Sequence, residues 1–211
     1  MTADALAAWC RVRNQVDWTR VGRETAAPVQ AAVDGLIVWC GAGRRSSGLA
    51  RGDRLLAALA QSRADASRKR PLTCLLLAEW QRLVLGVPEV PFRQGDAFAK
   101  GGRERYALTA HTQRDFERCL RDSADPRVPL ASRAARAYLD VAFFHPFPDG
   151  NARLAMLVLG YVLELEGVRL DEVGPLQTTR YADDALGAAD MAALVSVLIH
   201  STRRRAIRAR R

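Results

Sequence analysis

The stretch HPFPDGNAR, at 145–153, contains the side chains of this sequence that are best suited to catalysis. It lies between two strongly apolar segments. A histidine such as His145 can take a proton from a hydroxyl group at neutral pH. Asp149 is an oxygen ligand of the kind that Mg²⁺ prefers, and Arg153 offers a planar fork of N–H donors that matches phosphate oxygens. This combination indicates phosphate chemistry at a hydroxyl group.

The prolines in this stretch predict how its side chains are positioned. Pro146 and Pro148 disfavour helix for the residues before them, so 145–148 is expected to be a tight loop. The next helix should then begin at about 149–151, and the first N–H groups of a helix lack internal partners. They also lie at the positive end of the helix dipole, so the start of this helix is predicted to be an anion site.

Three neighbouring residues complete this prediction. Gly150 allows a phosphate to approach the backbone closely, and Asn151 adds an amide donor. Phe147 is expected to point into the core and anchor the loop. Structural alternatives stay open: His145 as a helix cap, Asp149 as an N-cap, and an acidic partner for the arginine at 153.

Hydrophobic periodicity predicts a mostly helical chain. The predicted helical segments are 1–40, 53–66, 71–86, 111–123, 129–144, 151–167 and 183–200. Pro71 suits a first helical position, and Ser132 suits an N-cap. The Gly- and Ser-rich segment 41–53 is predicted as a loop, and 87–109 as an irregular loop or a short hairpin turning at KGG. The predicted fold class is therefore all-α with one small β element.

The charge distribution argues against nucleic-acid binding as the main function. The net charge is +9 over 211 residues, but the terminal segment RRRAIRARR (203–211) carries six arginines, which leaves 26 basic and 23 acidic residues elsewhere. A terminal basic run is typical of a solvated or partner-binding tail. We expect residues 1–70 to form a helical segment packed on a catalytic core at 71–200, followed by an arginine-rich tail at 201–211.

Several other classes of protein find little support in the sequence. The four cysteines are far apart, without a C-x-x-C pair, so reduced thiols are expected rather than disulfides or a zinc site. No apolar run reaches the ~18–20 residues that span a bilayer, and the N-terminus does not resemble a signal peptide. These features predict a cytoplasmic protein without a membrane partner.

The motif resembles the signature of the Fic (filamentation induced by cAMP) family, H-x-F-x-D/E-G-N-G-R-x-x-R, which here reads HPFPDGNARLAM. The segments LAEWQRLVLG and VPFRQGDAFAKGGRERY look like the family's helix and flap, and PLASRAARAYLDVAFF looks like the helix that delivers the motif. The resemblance covers about 71–170. It implies a helical fold around a central motif-bearing helix, with a β-hairpin flap beside it.

The resemblance also implies a reaction, the transfer of AMP from ATP to a Ser, Thr or Tyr hydroxyl of a protein. By position, His145 would be the general base and Asp149 would hold Mg²⁺. Gly150, Asn151 and Ala152 would form the anion hole, with Arg153 on another phosphate of the nucleotide.

The flap, around 92–106, would align the backbone of the target by strand addition. The flap residues that are candidates for substrate contact are Phe92, Arg93, Lys100, Gly101 and Arg105. The charged residues of the turn, Lys100, Arg103 and Arg105, are equally well interpreted as a solvated face.

Two positions depart from the family pattern. Ala152 replaces the second glycine, which predicts a modest narrowing of the phosphate pocket. Met156 replaces the second arginine, which in relatives contacts the terminal phosphate of the donor, so either the donor binds differently here or it has no such phosphate. If the donor lies as in relatives, Met156→Arg is expected to raise triphosphate affinity. The family's inhibitory motif, S/T-x-x-x-E-G/N, is absent from the sequence. The phosphoryl-transferring death-on-curing branch also lacks the second arginine, but its lysine before the first arginine is missing here.

Three functional hypotheses follow. The first is Mg²⁺-dependent transfer of AMP, or another nucleotide moiety, from ATP or another nucleoside triphosphate to a protein hydroxyl. The second is transfer of a phosphoryl or other phosphate-linked group, with a small molecule as the acceptor. The third is a degenerate binding module. A separate antitoxin-like inhibitor and a homo-oligomer both stay open as partners.

Overall fold

The computed structural model describes residues 3–21, 28–47 and 49–209, and these residues form eight α-helices and four short strands. The elements in chain order are α1 (Ala5–Gln15), β1 (Val29–Gln30), α2 (Gly35–Ser47), α3 (Leu49–Ser67), α4 (Cys74–Leu85), β2 (Ala97–Ala99), β3 (Glu104–Tyr106), α5 (Thr112–Asp122), α6 (Leu130–Phe144), α7 (Asn151–Glu164), β4 (Val168–Arg169) and α8 (Ala185–Arg208).

Helix α7 lies at the centre of the core, with α6, α3 and α4 packed around it. Its ten consecutive residues from Leu154 to Leu163 are all buried. A helix that is apolar on every face gains most free energy when other elements surround it, because each buried methylene contributes about 0.8 kcal/mol. The sequence of α7 therefore fixes its central position and places its first residue at the core's edge.

A buried ion pair ties α1 to α6, the helix that precedes the motif. Asp140 is completely buried and accepts hydrogen bonds from Trp9 Nε1 at 3.0 Å and from Arg13 Nε and Nη2 at 2.7 and 3.0 Å. Arg13 also contacts Asp122 at 3.0 Å. Because both charges of the central pair are buried and satisfied, α1 is fixed in register against α6.

A small hairpin is the only antiparallel sheet within the described residues. Strand β2 pairs with β3 from Ala97↔Tyr106 to Ala99↔Glu104, and a 3₁₀ turn at 100–102 joins them. Glycines at 101 and 102 adopt positive φ angles there, which the tight turn requires. Of the two alternatives for 87–109, the hairpin at KGG is confirmed, and so is the all-α fold class. The single predicted β element is not, because β1 and β4 form a second two-stranded sheet.

The N-terminal region departs from the predicted elements. The predicted loop at 41–53 is wrong, because α2 and α3 occupy it apart from residue 48, which lies outside the described residues. Packing of these helices on the core outweighs the low helix propensity of their glycines. Within the predicted helical segment 1–40, α1 ends at Gln15 and the next helix begins only at Gly35, where the Asp34 carboxylate accepts from the N–H groups of Leu36 and Ile37. Residues 26 and 27 lie outside the described residues.

Three predicted helix boundaries also shift. Helix α4 starts after Thr73, whose hydroxyl accepts from Leu76 N–H at 3.1 Å, rather than at Pro71. Ser132 is not an N-cap, since α6 already begins at Leu130 and the serine is buried inside its first turn. The predicted arginine tail is helical as far as residue 208, as the last turns of α8.

Helix α8 is long and apolar enough to cross a membrane by length and composition. These two criteria alone do not separate a membrane span from a core helix. In this fold 39% of the 18-residue apolar window of α8 is buried. The buried residues, among them Met191, Val195 and Ile199, join the core through contacts with α6.

Candidate active site

The loop between α6 and α7 is closed by the side chain of Asn151. This side chain is buried, and its Oδ1 accepts from Phe147 N–H at 3.0 Å while its Nδ2 donates to Phe147 C=O at 2.7 Å. Phe147 itself is buried in the core. The predicted amide donor of Asn151 is therefore used within the loop, and only the backbone N–H of this residue faces the anion site.

His145 lies at the C-terminal end of α6 in the left-handed conformation, with φ of 50°. Its Nδ1 is 3.2 Å from the carbonyl oxygen of Ala142. Since a carbonyl can only accept, Nδ1 carries the proton in the neutral ring, and Nε2 keeps its lone pair. The ring also stacks on Tyr106, with centroids 5.3 Å apart. These contacts hold His145 as a neutral base with one nitrogen free to accept a proton.

The surroundings of His145 keep it neutral. Burial is the main cause that lowers the pKa of this imidazole below its usual value, and the positive charges of Arg93 and Lys100 lower it further. The bond to Ala142 and the charge of Asp149 oppose this shift without cancelling it.

A cavity of about 260 Å³ opens beside His145. It lies between the hairpin, α6, the start of α7 and the segment before α8. The side chains that line it include Lys100, Tyr106, Tyr138, Thr178 and Arg180, together with His145 and Ala152. A hydroxyl-bearing side chain or small molecule in this cavity would contact the proposed base.

The N-terminus of α7 presents unpaired donors. Gly150 adopts φ of 77° and precedes the helix, and its C=O accepts the first helical hydrogen bond, from Leu154 N–H at 3.0 Å. Among the described residues, nothing accepts from the backbone N–H groups of 151–153. These three donors and the positive end of the helix dipole make the start of α7 a candidate anion site, which the loop at 145–150 connects to His145.

The segment that contains this motif matches a known family. Residues 72–163 match the model of the Fic/DOC family. The name Fic/DOC domain is used for this matched segment alone, which is less than half of the chain. The matched segment runs from α4 almost to the end of α7, and so contains the hairpin, the motif loop and the anion site.

Solved structures of Fic proteins share the fold of this Fic/DOC domain. A Fic-domain-containing signaling protein from Bacteroides thetaiotaomicron is 20% identical, with a TM-score of 0.56 over 76% of this chain and 71% of its own. Fic-1 from C. elegans is 15% identical, with a TM-score of 0.55 over 97% and 71%. IbpAFic2, in a structure in which it is covalently tethered to Cdc42, is 9% identical, with a TM-score of 0.56 over 92% and 70%. No curated protein matches the sequence.

Asp149 and Arg153 flank the anion site. The Asp149 side chain is 71% exposed, and its Oδ1 accepts from Gly150 N–H at 2.6 Å. The other carboxylate oxygen is 3.5 Å from Arg153 Nη2. No group of three or more His, Cys, Asp or Glu residues that could hold a metal occurs within the described residues. A lone exposed carboxylate still fits Mg²⁺, which is commonly bound by one or two carboxylates together with substrate phosphates.

Two of the predicted flap contacts are structural in this Fic/DOC domain. Arg93 is buried, and its guanidinium donates to the carbonyls of Phe144, Gly95 and Ala107 at 3.3, 2.6 and 2.9 Å. It therefore fastens the base of the hairpin to the end of α6, and we do not retain it as a substrate contact. Phe92 packs against Phe116 in the core.

The other predicted flap residues lie on the hairpin itself. Lys100 pairs with Glu104 and lies over the rings of Phe143 and Tyr181, at 4.9 and 4.8 Å from their centroids. Gly101 is exposed at the turn. Arg105 contacts Asp96 at 2.7 Å. Of the three, only Lys100 reaches the cavity beside His145.

The two departures from the family pattern have different surroundings. Ala152 is exposed and lines the cavity, so its methyl group adds to the cavity wall. Met156 is 1% exposed in the core, so the interpretation of this residue as a core side chain holds. An arginine at 156 would have to bury its charge, and the expectation that Met156→Arg raises triphosphate affinity is withdrawn.

Sequence reasoning missed Gln81, which supports the motif loop from α4. This glutamine is completely buried, and its Nε2 donates to the carbonyl oxygen of Asp149. A signal was available, because Gln81 follows Leu77 by four residues and precedes Val84 by three on one buried helix face. A polar side chain on such a face requires a partner.

Replacing Gly150 by alanine should disrupt the anion site. A Cβ at this position would lie 2.5 Å from Gln81 Nε2 and 3.2 Å from Arg153 Nη2, in a backbone conformation that favours glycine. We expect a loss of roughly 1–3 kcal/mol in the free energy of unfolding and a weaker phosphate affinity. Urea denaturation and calorimetric titration with inorganic phosphate measure both. Gly101→Ala, at an open position with a similar φ, is the control for backbone strain without the clash. Equal phosphate affinity in both variants would contradict the prediction.

Proposed function

We propose that this Fic/DOC domain transfers AMP, or another nucleotide moiety, from a nucleoside triphosphate to the hydroxyl of a Ser, Thr or Tyr residue in a target protein. The observation that carries the proposal is the placement of a neutral His145, with Nε2 free, at one end of the short loop whose other end leads into the unpaired N–H groups at 151–153. One group can accept a proton while the other binds the phosphate that is attacked. ATP as the donor agrees with the expected cytoplasmic location.

The reaction balances as a single displacement. The acceptor O–H gives its proton to His145 Nε2, its oxygen forms a bond to the α-phosphorus of ATP, and the bond from that phosphorus to the bridging oxygen breaks to release pyrophosphate. The backbone N–H groups at the start of α7 hold the negative charge that develops on the α-phosphate oxygens. Asp149 would hold Mg²⁺, which when bound neutralises charge on the donor phosphates.

The hairpin supports a protein as the acceptor. Strand β2 pairs with β3 on one edge, and among the described residues no strand pairs with its other edge. Phe98 on this strand is 59% exposed. An open edge next to the cavity can add a strand of the target and so bring one of its side chains towards His145. The structure of IbpAFic2 tethered to Cdc42 is consistent with a protein target for this fold.

The test uses purified protein, Mg²⁺, cell lysate as the target mixture, and ATP labelled separately at the α and γ phosphates. We expect label from the α position on protein bands, and none when His145→Asn replaces the parent protein. Label from γ alone would replace the proposal by phosphoryl transfer. Label in small molecules instead of protein would move the acceptor to the second hypothesis, while no label from either position would contradict transfer from ATP.

The pH dependence of transfer provides a separate prediction. Because the pKa of His145 is lowered, the imidazole stays unprotonated, and active as a base, at more acidic pH than an ordinary histidine. The acid limb of kcat/KM should therefore have its midpoint below about 6.5, the usual histidine value. Initial rates between pH 5 and pH 8 measure it, and His111→Asn serves as a control that should leave the midpoint unchanged. A midpoint at or above the usual value would contradict the assignment.

A further inference from the structure

Arginines from two helices converge beside the anion site. Arg153 lies in the first turn of α7, and Arg54 of α3 runs along the end of α4. A Cβ on Gly86 would be 2.5 Å from Arg54 Nη1 and 2.7 Å from its Cδ. The residue before this glycine, Leu85, has its Cδ2 3.2 Å from the Cβ position of Gly150. The guanidinium of Arg54 is therefore next to Gly86, and the residue before α7 is next to Leu85. Both contacts are at the C-terminal end of α4.

Within the described residues, only one of the three arginines in this cluster pairs with an acidic side chain. Arg51 precedes Arg54 by three residues on α3, so the two side chains are neighbours on one face of this helix. Burial is the main cause that lowers the pKa of Arg153, and the charges of Arg51 and Arg54 lower it further. Among the described residues, neither of the two forms an ion pair. The one acid beside Arg153 is Asp149, at 3.5 Å and largely exposed.

A buried polar atom in the same place also has no partner. Gln81 is completely buried. A Cβ built on Gly150 would lie 2.5 Å from its Nε2, so the side-chain amide is next to Gly150. Its Oε1 finds no donor within the described part of the chain. A buried acceptor without a donor is costly, and a hydroxyl or water brought by a bound ligand can satisfy it. The charge cluster and the buried amide thus indicate a ligand independently of each other.

We propose that Arg51 and Arg54 bind the terminal phosphates of the donor, so that the site selects a polyphosphate over a monophosphate. One phosphate binds at the N-terminus of α7, and the remaining phosphates extend towards α3. There the guanidinium groups of Arg51 and Arg54 hold them through charge-assisted hydrogen bonds. Met156 is buried in the core and cannot bind a phosphate. Both α3 arginines lie outside the segment 72–163 that matches the family. The proposal rests on the proposed function for the identity of the donor.

The test compares polyphosphate and monophosphate binding in the double variant Arg51→Gln/Arg54→Gln. Calorimetric titrations use ATP, tripolyphosphate, AMP and inorganic phosphate. We expect the double variant to lose on the order of tenfold or more in affinity for ATP and tripolyphosphate. Its affinity for AMP and inorganic phosphate should change less than about twofold, because these ligands reach only the α7 site. Arg153→Gln should weaken all four.

Arg68→Gln is the matched control, since Arg68 is an exposed arginine that directly follows the C-terminal end of α3 and pairs with Asp65 at 3.8 Å. It should leave all four affinities unchanged. Unchanged tripolyphosphate binding in the double variant would overturn the proposal, and so would an equal loss for all four ligands, which indicates long-range attraction only. Failure of the proposed function is a separate result, because tripolyphosphate binding that depends on Arg51 and Arg54 can persist in a protein that transfers no nucleotide.

Discussion

Replacing His145 by asparagine should lower the rate of transfer by a factor of about 10²–10⁴, the usual contribution of a general base. In the proposed mechanism, this variant loses the group that takes the proton of the acceptor hydroxyl. Asparagine is preferred to alanine because His145 is in the left-handed conformation, which asparagine tolerates and which costs other residues roughly 1–2 kcal/mol. The single-turnover rate with α-labelled ATP and the thermal midpoint measure activity and folding.

The control for this prediction is His111→Asn, which changes an exposed histidine at the start of α5. It should keep the parent rate. His145→Ala should lose the same activity as His145→Asn but unfold at a lower temperature, since the backbone strain is then not relieved. If the asparagine variant transfers label at the parent rate, another group takes the proton and the role of His145 is structural.

Replacing Asp140 by alanine should lower the free energy of unfolding by about 3–5 kcal/mol, because it leaves the buried guanidinium of Arg13 without its main partner. The same change removes the acceptor of Trp9 Nε1. Since α1 is held to α6 through this carboxylate, we expect the N-terminal helix to loosen first. Urea denaturation measures the change, and hydrogen exchange in α1 shows where it occurs.

Asp125→Ala is the matched control, because Asp125 pairs with the largely exposed Arg127 and surface pairs contribute little. A second variant, Asp140→Leu with Arg13→Met, tests the cause. Removing both charges together should recover most of the lost stability, since no unpaired charge remains. A loss of under about 1 kcal/mol for Asp140→Ala would mean that water reaches the site, and that the pair does not fix α1.

The parts of the site that depend on local sequence could be predicted, whereas the parts that depend on packing could not. Two prolines and a glycine within six residues require a loop and then a helix start, and α7 does begin at Asn151. The direction of a side chain is set by its neighbours in space. For this reason the Asn151 amide turned out to close the loop, and Arg93 to fasten the hairpin.

In the N-terminal half, packing again produced structure that the local sequence did not predict. Glycine content predicted a loop at 41–53, but this stretch belongs to α2 and α3 apart from residue 48, and α3 packs against α4 and α7. The contribution of α3 to the site could not be read from the motif, since Arg51 and Arg54 are about 100 positions away in the chain. Only the three-dimensional arrangement of α3, α4 and α7 brings them to Arg153.

The loop from His145 to Gly150 brings opposite ends of two helices together. The C-terminal end of α6 carries a partial negative charge from its unpaired carbonyls, and the N-terminal end of α7 carries a partial positive charge. His145 caps the first end, and the N–H groups at 151–153 belong to the second. When a proton moves to the imidazole, the backbone of α6 stabilises the new positive charge. At the same moment the backbone of α7 stabilises negative charge on the phosphate. The two helix ends would therefore favour both charges that the proposed reaction creates, the positive one on His145 and the negative one on the phosphate.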